Sequence, residues 1–264
     1  MTAAREPLLS CNGVSKFFGA LAAVNNLSFD VYPGDVLGIG GPNGAGKTTL
    51  FEVISGLNQA TSGSVIFQGR DITMLPPESV CHTGIARTFQ LNASFESLSV
   101  RDNVRVAAYF GRENRAYPGL KVGPDVEEQT TAALEAVGLA GKDHLIAGEL
   151  PVLDRKLLML AGAIATKPRL LLMDEPVGGL SPKEIDHMME AVRSIAASGV
   201  TIVLIEHVMR FLVQLSTRVL IMHHGESIYE GPPQGLAKDR TVIDVYLGEG
   251  ASERLGKLME AGQS

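Results

Sequence analysis

Residues 41–49 read Gly41-Pro42-Asn43-Gly44-Ala45-Gly46-Lys47-Thr48-Thr49, which matches the pattern G-x-x-x-x-G-K-[ST] at every fixed position. The apolar run of residues 36–39 precedes this stretch, and a helical segment begins at Lys47. In such a setting the backbone N–H groups converge on phosphates at a helix N-terminus. A chance glycine-rich turn would rarely meet all of these conditions. We therefore interpret the stretch as a phosphate-binding loop.

The residue types in this loop suit a bound nucleoside triphosphate. Glycines leave the backbone open to phosphate oxygens, which side chains would block. Lys47 is predicted to neutralise charge on the β and γ phosphates, and the Thr48 hydroxyl is predicted to ligate Mg²⁺. The predicted binding residues are Gly41, Asn43, Gly44, Ala45, Gly46, Lys47, Thr48 and Thr49.

An apolar strand later in the chain delivers two carboxylates. Residues 170–173 are Leu-Leu-Leu-Met, and Asp174 and Glu175 follow directly. Ligands collect at the carboxyl ends of strands in open α/β sheets. Asp174 is suited to hold Mg²⁺ through its water shell, and Glu175 to orient and deprotonate an attacking water. This strand end alone also fits a helix-capping turn, but the phosphate-binding loop favours the catalytic interpretation.

Two further polar residues close predicted strands. Gln90 ends the run Ile85-Ala86-Arg87-Thr88-Phe89-Gln90, and His207 follows residues 201–206. A lone glutamine or histidine is more often an ordinary surface or hydrogen-bonded residue than a catalytic one. On position alone, both interpretations of these two residues stay open.

Composition restricts the classes of protein to consider. The 264 residues, 45% of them hydrophobic, can bury a sizeable core in one large domain or two closely joined lobes. No run approaches the roughly 20 apolar residues that span a bilayer, and residues 1–7 lack the apolar core of a secretory signal. The formal charge of −6 argues against nucleic-acid binding. We expect a cytoplasmic chain that meets membranes through partner proteins, with Cys11 and Cys81 reduced.

Strand and helix signals alternate along most of the chain. Strands are predicted at residues 27–32, 36–39, 64–67, 169–173, 201–205 and 218–222. Helices are predicted at residues 47–55, around 126–137 and from Pro182. This order implies an α/β fold with a parallel sheet flanked by helices, and a terminal hairpin that turns at residues 223–226. The stretch 111–124 is predicted to be a surface loop.

The order of these motifs resembles the nucleotide-binding subunit of ABC transporters over nearly the whole chain. In that family, residues 41–49 would be the Walker A motif and Asp174-Glu175 the Walker B pair. Gln90 would be the Q-loop glutamine and His207 the switch histidine. The resemblance implies that ATP and Mg²⁺ are the cofactors. It also implies that Gln90 senses Mg²⁺ and the transporter, and that His207 contacts the γ phosphate.

The resemblance further implies the fold class: an α/β P-loop NTPase with a RecA-like core, an antiparallel β subdomain and an inserted helical subdomain. The expected boundaries are 1–90 for the first part of the nucleotide-binding core, 91–165 for the helical subdomain, and 166–264 for the second part of the core with its hairpin and tail. Phe18 matches the aromatic residue that stacks on adenine, although a core position fits it too. The implied metal-site residues are Thr48, Gln90 and Asp174.

Three stretches are similar to ATPases of branched-chain amino acid importers, a group that also covers urea and amide uptake. They are Phe18-Gly19-Ala20-Leu21-Ala22-Ala23-Val24, Ala86-Arg87-Thr88-Phe89-Gln90 and Val245-Tyr246-Leu247-Gly248-Glu249. The similarity implies a peripheral subunit at the cytoplasmic face of the inner membrane. Its implied partners are permease subunits, a second ATPase chain and, indirectly, a periplasmic or extracellular substrate-binding protein. A lipid or lipopolysaccharide exporter ATPase, or a weakly hydrolysing regulatory subunit, stays open as an alternative.

The family's signature, Leu-Ser-Gly-Gly-Gln or a close variant, is degenerate in this chain. Its place is taken by Leu150-Pro151-Val152-Leu153-Asp154-Arg155-Lys156. Pro151 has no N–H to donate, Leu153 blocks close backbone approach, and Asp154 brings negative charge toward a triphosphate. We therefore predict an asymmetric heterodimer in which this chain's Walker site is the competent one, although a tolerated variant with Asp154 as a helix cap stays open. Ser181, which replaces a frequent Asp of the D-loop, also fits a capping box.

Overall fold

A computed structural model describes residues 5–88, 94–111 and 122–247 of the chain. The described elements follow in the order β1 (Leu9–Phe18), β2 (Leu21–Val31), β3 (Val36–Gly40), α1 (Lys47–Ile54), β4 (Ser62–Phe67), β5 (Arg70–Asp71), α2 (Pro77–Thr83), β6 (Ile85–Thr88), α3 (Val100–Phe110), α4 (Pro124–Ala136), α5 (Val152–Ala165), β7 (Leu170–Asp174), α6 (Pro182–Ala197), β8 (Thr201–Ile205), α7 (Met209–Leu215), β9 (Arg218–His223), β10 (Glu226–Gly231) and α8 (Arg240–Val242). A π-helical turn, Ile243–Leu247, follows α8 directly.

The chain divides into two compact units. The first unit contains the described parts of Met1–Pro77 and Thr201–Ser264, and the second contains the described part of Glu78–Val200. The subdomain boundaries expected at residues 90 and 165 stay a prediction.

One sheet of the first unit is antiparallel, with its strands in the order β2-β1-β4-β5. Strands β1 and β2 form a hairpin in which Phe18 pairs with Leu21. Gly19 supplies the positive φ of 60° that this tight connection requires. Apolar side chains of β1 and β2, such as Val14 and Leu27, are buried.

The other strands of the first unit are ordered β10-β9-β3-β8. Strand β3 is parallel to both β8 and β9, whereas β10 is antiparallel to β9. Every residue of β3 and β8 is buried, which explains why both strands read as continuous apolar runs instead of alternating patterns. The chain leaves the carboxyl end of β3 and enters α1 within six residues, Gly41 to Gly46. This short connection is the predicted phosphate loop.

The described part of the second unit contains two parallel strands and five α-helices. Helix α2 has seven residues, and α3, α4, α5 and α6 each have at least eleven. Strands β6 and β7 pair from Ile85 with Leu170 to Thr88 with Met173. Helices α3, α4 and α5 pack on one another, and Arg101 and Arg105 of α3 form ion pairs with Glu127 of α4. These charged contacts on the helix surfaces supplement the apolar core between the helices.

The local predictions agree with the structure over most elements. The strand predicted at residues 201–205 is β8, and the terminal hairpin forms as predicted, with Glu226 paired to His223. Strand β1 was not predicted, because its sequence is interrupted by Asn12-Gly13 and the register to β2 shifts at that point. Of the predicted surface loop at 111–124, residues 112–121 lie outside the described residues.

None of the helices in the described ranges is long and apolar enough to cross a bilayer. Cys11 is buried and Cys81 is half-buried, and neither forms a disulfide. That both cysteines are reduced stays a prediction.

Candidate nucleotide-binding and catalytic site

The phosphate loop joins a fully buried strand to the N-terminus of α1. Gly46 is the N-cap of this helix, in the left-handed conformation, and no side chain caps the helix. Uncapped N–H groups in a first helical turn, together with the helix dipole, attract an anion. The local geometry is therefore compatible with the predicted anion site, which stays a prediction.

At two positions of the loop, neighbouring backbone atoms leave no room for a side chain, so only glycine fits. Gly41 has φ 139°, and a Cβ added to it would lie 2.1 Å from the carbonyl oxygen of Met222. Gly46 has φ 98°, and its added Cβ would lie 2.0 Å from the carbonyl oxygen of Ala23. Gly44 differs, because an added Cβ would meet nothing within 4 Å. Gly41 and Gly46 thus hold the loop against the rest of the first unit, while Gly44 leaves open space beside it.

Lys47 is buried, and its ammonium group is held by the loop itself. Its Nζ donates hydrogen bonds to the carbonyl oxygens of Gly41 at 2.8 Å and Pro42 at 2.9 Å. These two contacts orient the ammonium group toward the loop. A positive charge at this place can pair with a phosphate bound in the loop.

His207 lies in the first unit, directly after strand β8. The preceding residue, Glu206, is completely buried. The Glu206 carboxylate accepts the backbone N–H groups of His207 at 3.0 Å and Val208 at 3.2 Å. The backbone N–H of Glu206 donates to the carbonyl oxygen of Ile39 in β3, at 3.3 Å. These contacts tie the backbone of the predicted switch histidine to the strand that leads into the phosphate loop.

Phe18 ends strand β1, and 46% of its surface is exposed. The Nζ atom of Lys16 lies 5.1 Å from the centroid of the Phe18 ring. An exposed ring next to a cation can stack on a planar base. The exposure agrees with the predicted adenine contact and not with the core position that was also open.

Asp174 ends strand β7 in the second unit and is buried. Its Oδ2 atom accepts a hydrogen bond from Arg87 Nη2 at 3.0 Å, and both side chains are almost completely inaccessible. Arg87 lies in the run that ends at Gln90, and the sequence alone predicted no role for it. The nearest available signal was a charged residue inside the short, otherwise buried strand β6, where charge requires a partner.

Glu175 follows Asp174 and has a positive φ of 46°. This conformation is uncommon for a residue with a side chain, and such strain clusters at functional sites. Its carbonyl oxygen accepts the N–H of Gly178 at 3.3 Å, closing a turn after the strand. The turn therefore sets the direction in which the predicted catalytic base leaves β7.

The predicted site residues fall into both units. The phosphate loop, Phe18 and His207 belong to the first unit, and Asp174 and Glu175 belong to the second. Gln90 lies outside the described residues. No cluster of three or more His, Cys, Asp or Glu side chains suited to a metal occurs within the described part of the chain.

The degenerate signature forms the start of helix α5. Pro151 is the N-cap and Val152, with 53% of its surface exposed, is the first helical residue. The structure corrects one expectation: Asp154 is buried, and its carboxylate pairs with Lys142 Nζ at 2.7 Å. The charge is compensated locally, so the predicted electrostatic repulsion of a triphosphate is reduced. The missing N–H of Pro151 and the bulk of Leu153 remain as defects.

Ser181 forms a local contact at the start of helix α6. Its backbone N–H and its hydroxyl both donate to the Glu184 carboxylate, at 2.8 and 2.6 Å. These hydrogen bonds lower the pKa of Glu184. The capping role that was considered for Ser181 is therefore present in the structure.

The ABC transporter family model matches residues 24–178, which include the phosphate loop and the Asp174-Glu175 pair. The chain belongs to the ABC transporter family. The predicted resemblance and the assignment as an ABC ATP-binding subunit and ATPase are confirmed.

This ABC ATPase subunit aligns with its relatives over almost their whole length. The chain is 33% identical to the high-affinity branched-chain amino acid transport ATP-binding protein LivG of Escherichia coli (strain K12), covering 92% of this chain and 99% of LivG. It is 32% identical to the corresponding protein BraF of Pseudomonas aeruginosa, with the same coverage. The relatives do not favour the exporter or the regulatory alternative.

Solved structures confirm the P-loop NTPase fold of this ABC subunit. An ATP-binding cassette of an ABC transporter in its ADP conformation is 30% identical, with a TM-score of 0.83 over 92% of this chain and 100% of that one. A nucleotide-free ATP-binding cassette gives a TM-score of 0.82, at the same identity and coverage. Nucleotide binding by such cassettes is thus established.

Proposed function

We propose that this chain binds and hydrolyses MgATP to drive a membrane importer of branched-chain amino acids or related small amides. The observation that carries the proposal is the uncapped glycine loop at the start of α1, with Lys47 already oriented inside it. Support for the substrate class comes from the relatives, which are named for branched-chain amino acid transport over almost their full length. The chain is proposed to act as a peripheral subunit at the cytoplasmic face of the inner membrane.

The proposed roles follow the chemistry of each group. The loop residues Gly41, Asn43, Gly44, Ala45, Gly46, Lys47, Thr48 and Thr49 bind the phosphates, and Phe18 stacks on adenine. Mg²⁺, when bound with the nucleotide, neutralises phosphate charge and would be held by Thr48, Gln90 and Asp174. Glu175 orients and deprotonates the attacking water, and His207 contacts the γ phosphate. The Arg87 ion pair fixes one oxygen of Asp174 and so orients that carboxylate.

A groove in the second unit is the proposed contact for the permease subunits. This cavity has a volume of about 400 Å³ and is lined by residues of α2, β6, α3 and α5. Phe95 and Phe110 line it, with 56% and 50% of their surfaces exposed. Large aromatic side chains exposed beside an apolar groove are typical anchors of protein interfaces.

We expect Phe95→Asp and Phe110→Asp together to release the chain from its permease while MgATP binding is retained. Each buried aromatic anchor of an interface contributes about 2 kcal/mol or more, so the double change should abolish co-purification. The measurement is recovery of the permease on a tagged chain, beside calorimetry with MgATP. Met74→Asp is the matched control, because Met74 is also an exposed apolar residue but belongs to the first unit. Unchanged recovery with the double variant would show that the permease docks elsewhere.

The proposed partner at the nucleotide site is a second, different ATPase chain. Pro151 has no N–H to donate at the start of α5, and the side chain of Leu153 prevents close approach to the backbone. This chain's signature therefore binds the nucleotide of the partner chain poorly. Its own loop, Asp174 and Glu175 are complete and can use an intact signature on the partner. The proposed dimer therefore has one competent site and one defective site.

The substrate class is tested by uptake into liposomes that contain the purified complex, with its substrate-binding protein outside and ATP inside. We expect labelled leucine, isoleucine or valine to accumulate only when ATP is present. The comparison substrate is a fluorescent lipid, whose movement between leaflets should not change. ATP-dependent lipid movement without amino acid uptake would overturn the importer assignment.

A further inference from the structure

The last described segment of the chain packs against the end of strand β3, just before the phosphate loop. Tyr246 lies in the π-helical turn Ile243–Leu247. A Cβ added to Gly40 would lie 3.3 Å from Cε1 of Tyr246 and 2.8 Å from Cδ1 of Ile221. Gly40 is the last residue of β3, immediately before Gly41. The Tyr246 ring therefore packs where the strand passes into the phosphate loop.

The hydroxyl of Tyr246 is buried and forms no well-aligned hydrogen bond within the described chain. Burial raises the pKa of Tyr246; an interaction with the Gly41 backbone lowers it, and the Glu206 charge raises it. The hydroxyl thus stays protonated at neutral pH. A buried tyrosine hydroxyl normally has a partner, so one without a well-aligned partner is unusual.

Glu206 is the link between this hydroxyl and the switch histidine. Its carboxylate is completely buried and accepts the N–H groups of His207 and Val208. A buried carboxylate depends on its hydrogen-bond donors, because an uncompensated charge in the interior is costly. A further donor beside it would change how firmly it holds the backbone of His207. The Glu206 N–H donates to the Ile39 carbonyl oxygen at 3.3 Å, and Tyr246 packs against Gly40, the next residue of the same strand. The Tyr246 hydroxyl therefore lies beside the strand end that Glu206 contacts.

We propose that Tyr246 is a positioning residue of the nucleotide site, through which the C-terminal segment supports both the phosphate loop and His207. The ring packs against Gly40 and keeps the start of the loop in place, which affects ATP affinity. The hydroxyl acts on the Glu206 carboxylate and through it on His207, which affects the rate of hydrolysis. This inference rests on the proposed function, because it assigns the two effects to the ATP site.

The test separates the hydroxyl from the ring. For Tyr246→Phe in the assembled complex, we expect kcat to fall by about threefold to tenfold with an unchanged KM for ATP, the order of effect of one ordinary hydrogen bond. For Tyr246→Ala, we expect kcat to fall and the KM to rise as well. Tyr229→Phe is the matched control, because its hydroxyl donates to the Pro232 carbonyl oxygen in the same unit at 2.7 Å. That variant should retain both constants.

The outcomes are distinguishable from one another. A Tyr246→Phe complex with wild-type kcat and KM would overturn the proposal, even if Tyr246→Ala fails to fold. Equal loss in Tyr246→Phe and Tyr229→Phe would also overturn it, because the effect would then be general to tyrosine hydroxyls of this unit. If the wild-type complex neither binds nor hydrolyses ATP, the proposed function itself fails, and that result is seen before any variant is compared.

Discussion

Replacing Glu175 by Gln is expected to stop ATP hydrolysis almost completely while the chain still binds MgATP. The amide has the shape of the carboxylate but cannot accept the proton of an attacking water. General-base catalysis contributes about 10²- to 10⁴-fold to a rate, so a loss of that order is expected in kcat. Phosphate release by the assembled complex measures it, and calorimetry with MgATP measures the retained binding.

The structure makes this substitution a specific probe. Glu175 has a positive φ of 46°, and Gln at this position must adopt the same backbone conformation. A loss of activity therefore reports on the carboxylate and not on relief of backbone strain. Glu190→Gln is the matched control, since Glu190 is exposed on α6 of the same unit. Hydrolysis at the full rate by Glu175→Gln would assign the catalytic base to another residue.

Replacing Lys47 by Ala is expected to weaken MgATP binding to the isolated chain by about 10- to 150-fold, the range that follows from about 1.5–3 kcal/mol for a charged hydrogen bond. The ammonium is buried and already oriented toward the loop by Gly41 and Pro42. Its removal takes the main counter-charge from the phosphates and leaves the loop carbonyls without their donor. Isothermal calorimetry measures the change directly.

The matched control for this lysine is Lys238→Ala. Lys238 is exposed in the first unit, so its loss changes the net charge equally without touching the loop. If the Lys47→Ala chain bound MgATP as tightly as the wild-type chain, residues 41–49 could not be assigned as the phosphate site. A loss of binding in both variants would attribute the effect to overall charge.

The sequence predicted the buried parallel strands and the loop between β3 and α1 well, because continuous apolar runs and glycine patterns reflect local physics. It failed for β1, where Asn12-Gly13 interrupts the strand pattern and pairing with β2 and β4 determines the structure instead. Pairing partners far apart along the chain leave little trace in a local pattern.

The candidate site shows a similar division between local and distant information. Lys47 and Glu175 follow from motifs, because their neighbours in sequence define their roles. The ion pair of Arg87 with Asp174 joins residues 87 positions apart, and the local charge of Asp154 is compensated by Lys142 on a preceding segment. Such pairs can be recognised only in the folded structure, because no local sequence pattern connects the two residues. Tyr246 belongs to this class too, because Gly40 lies more than 200 residues before it.

The most direct test of the account is a paired comparison of ATP hydrolysis in the assembled transport complex. One complex carries Glu175→Gln in this chain, and the other carries the equivalent change in the partner ATPase. The account predicts that hydrolysis and amino acid uptake collapse together in the first complex and fall much less in the second. Equal losses in both complexes, or full hydrolysis with Glu175→Gln in this chain, would contradict it.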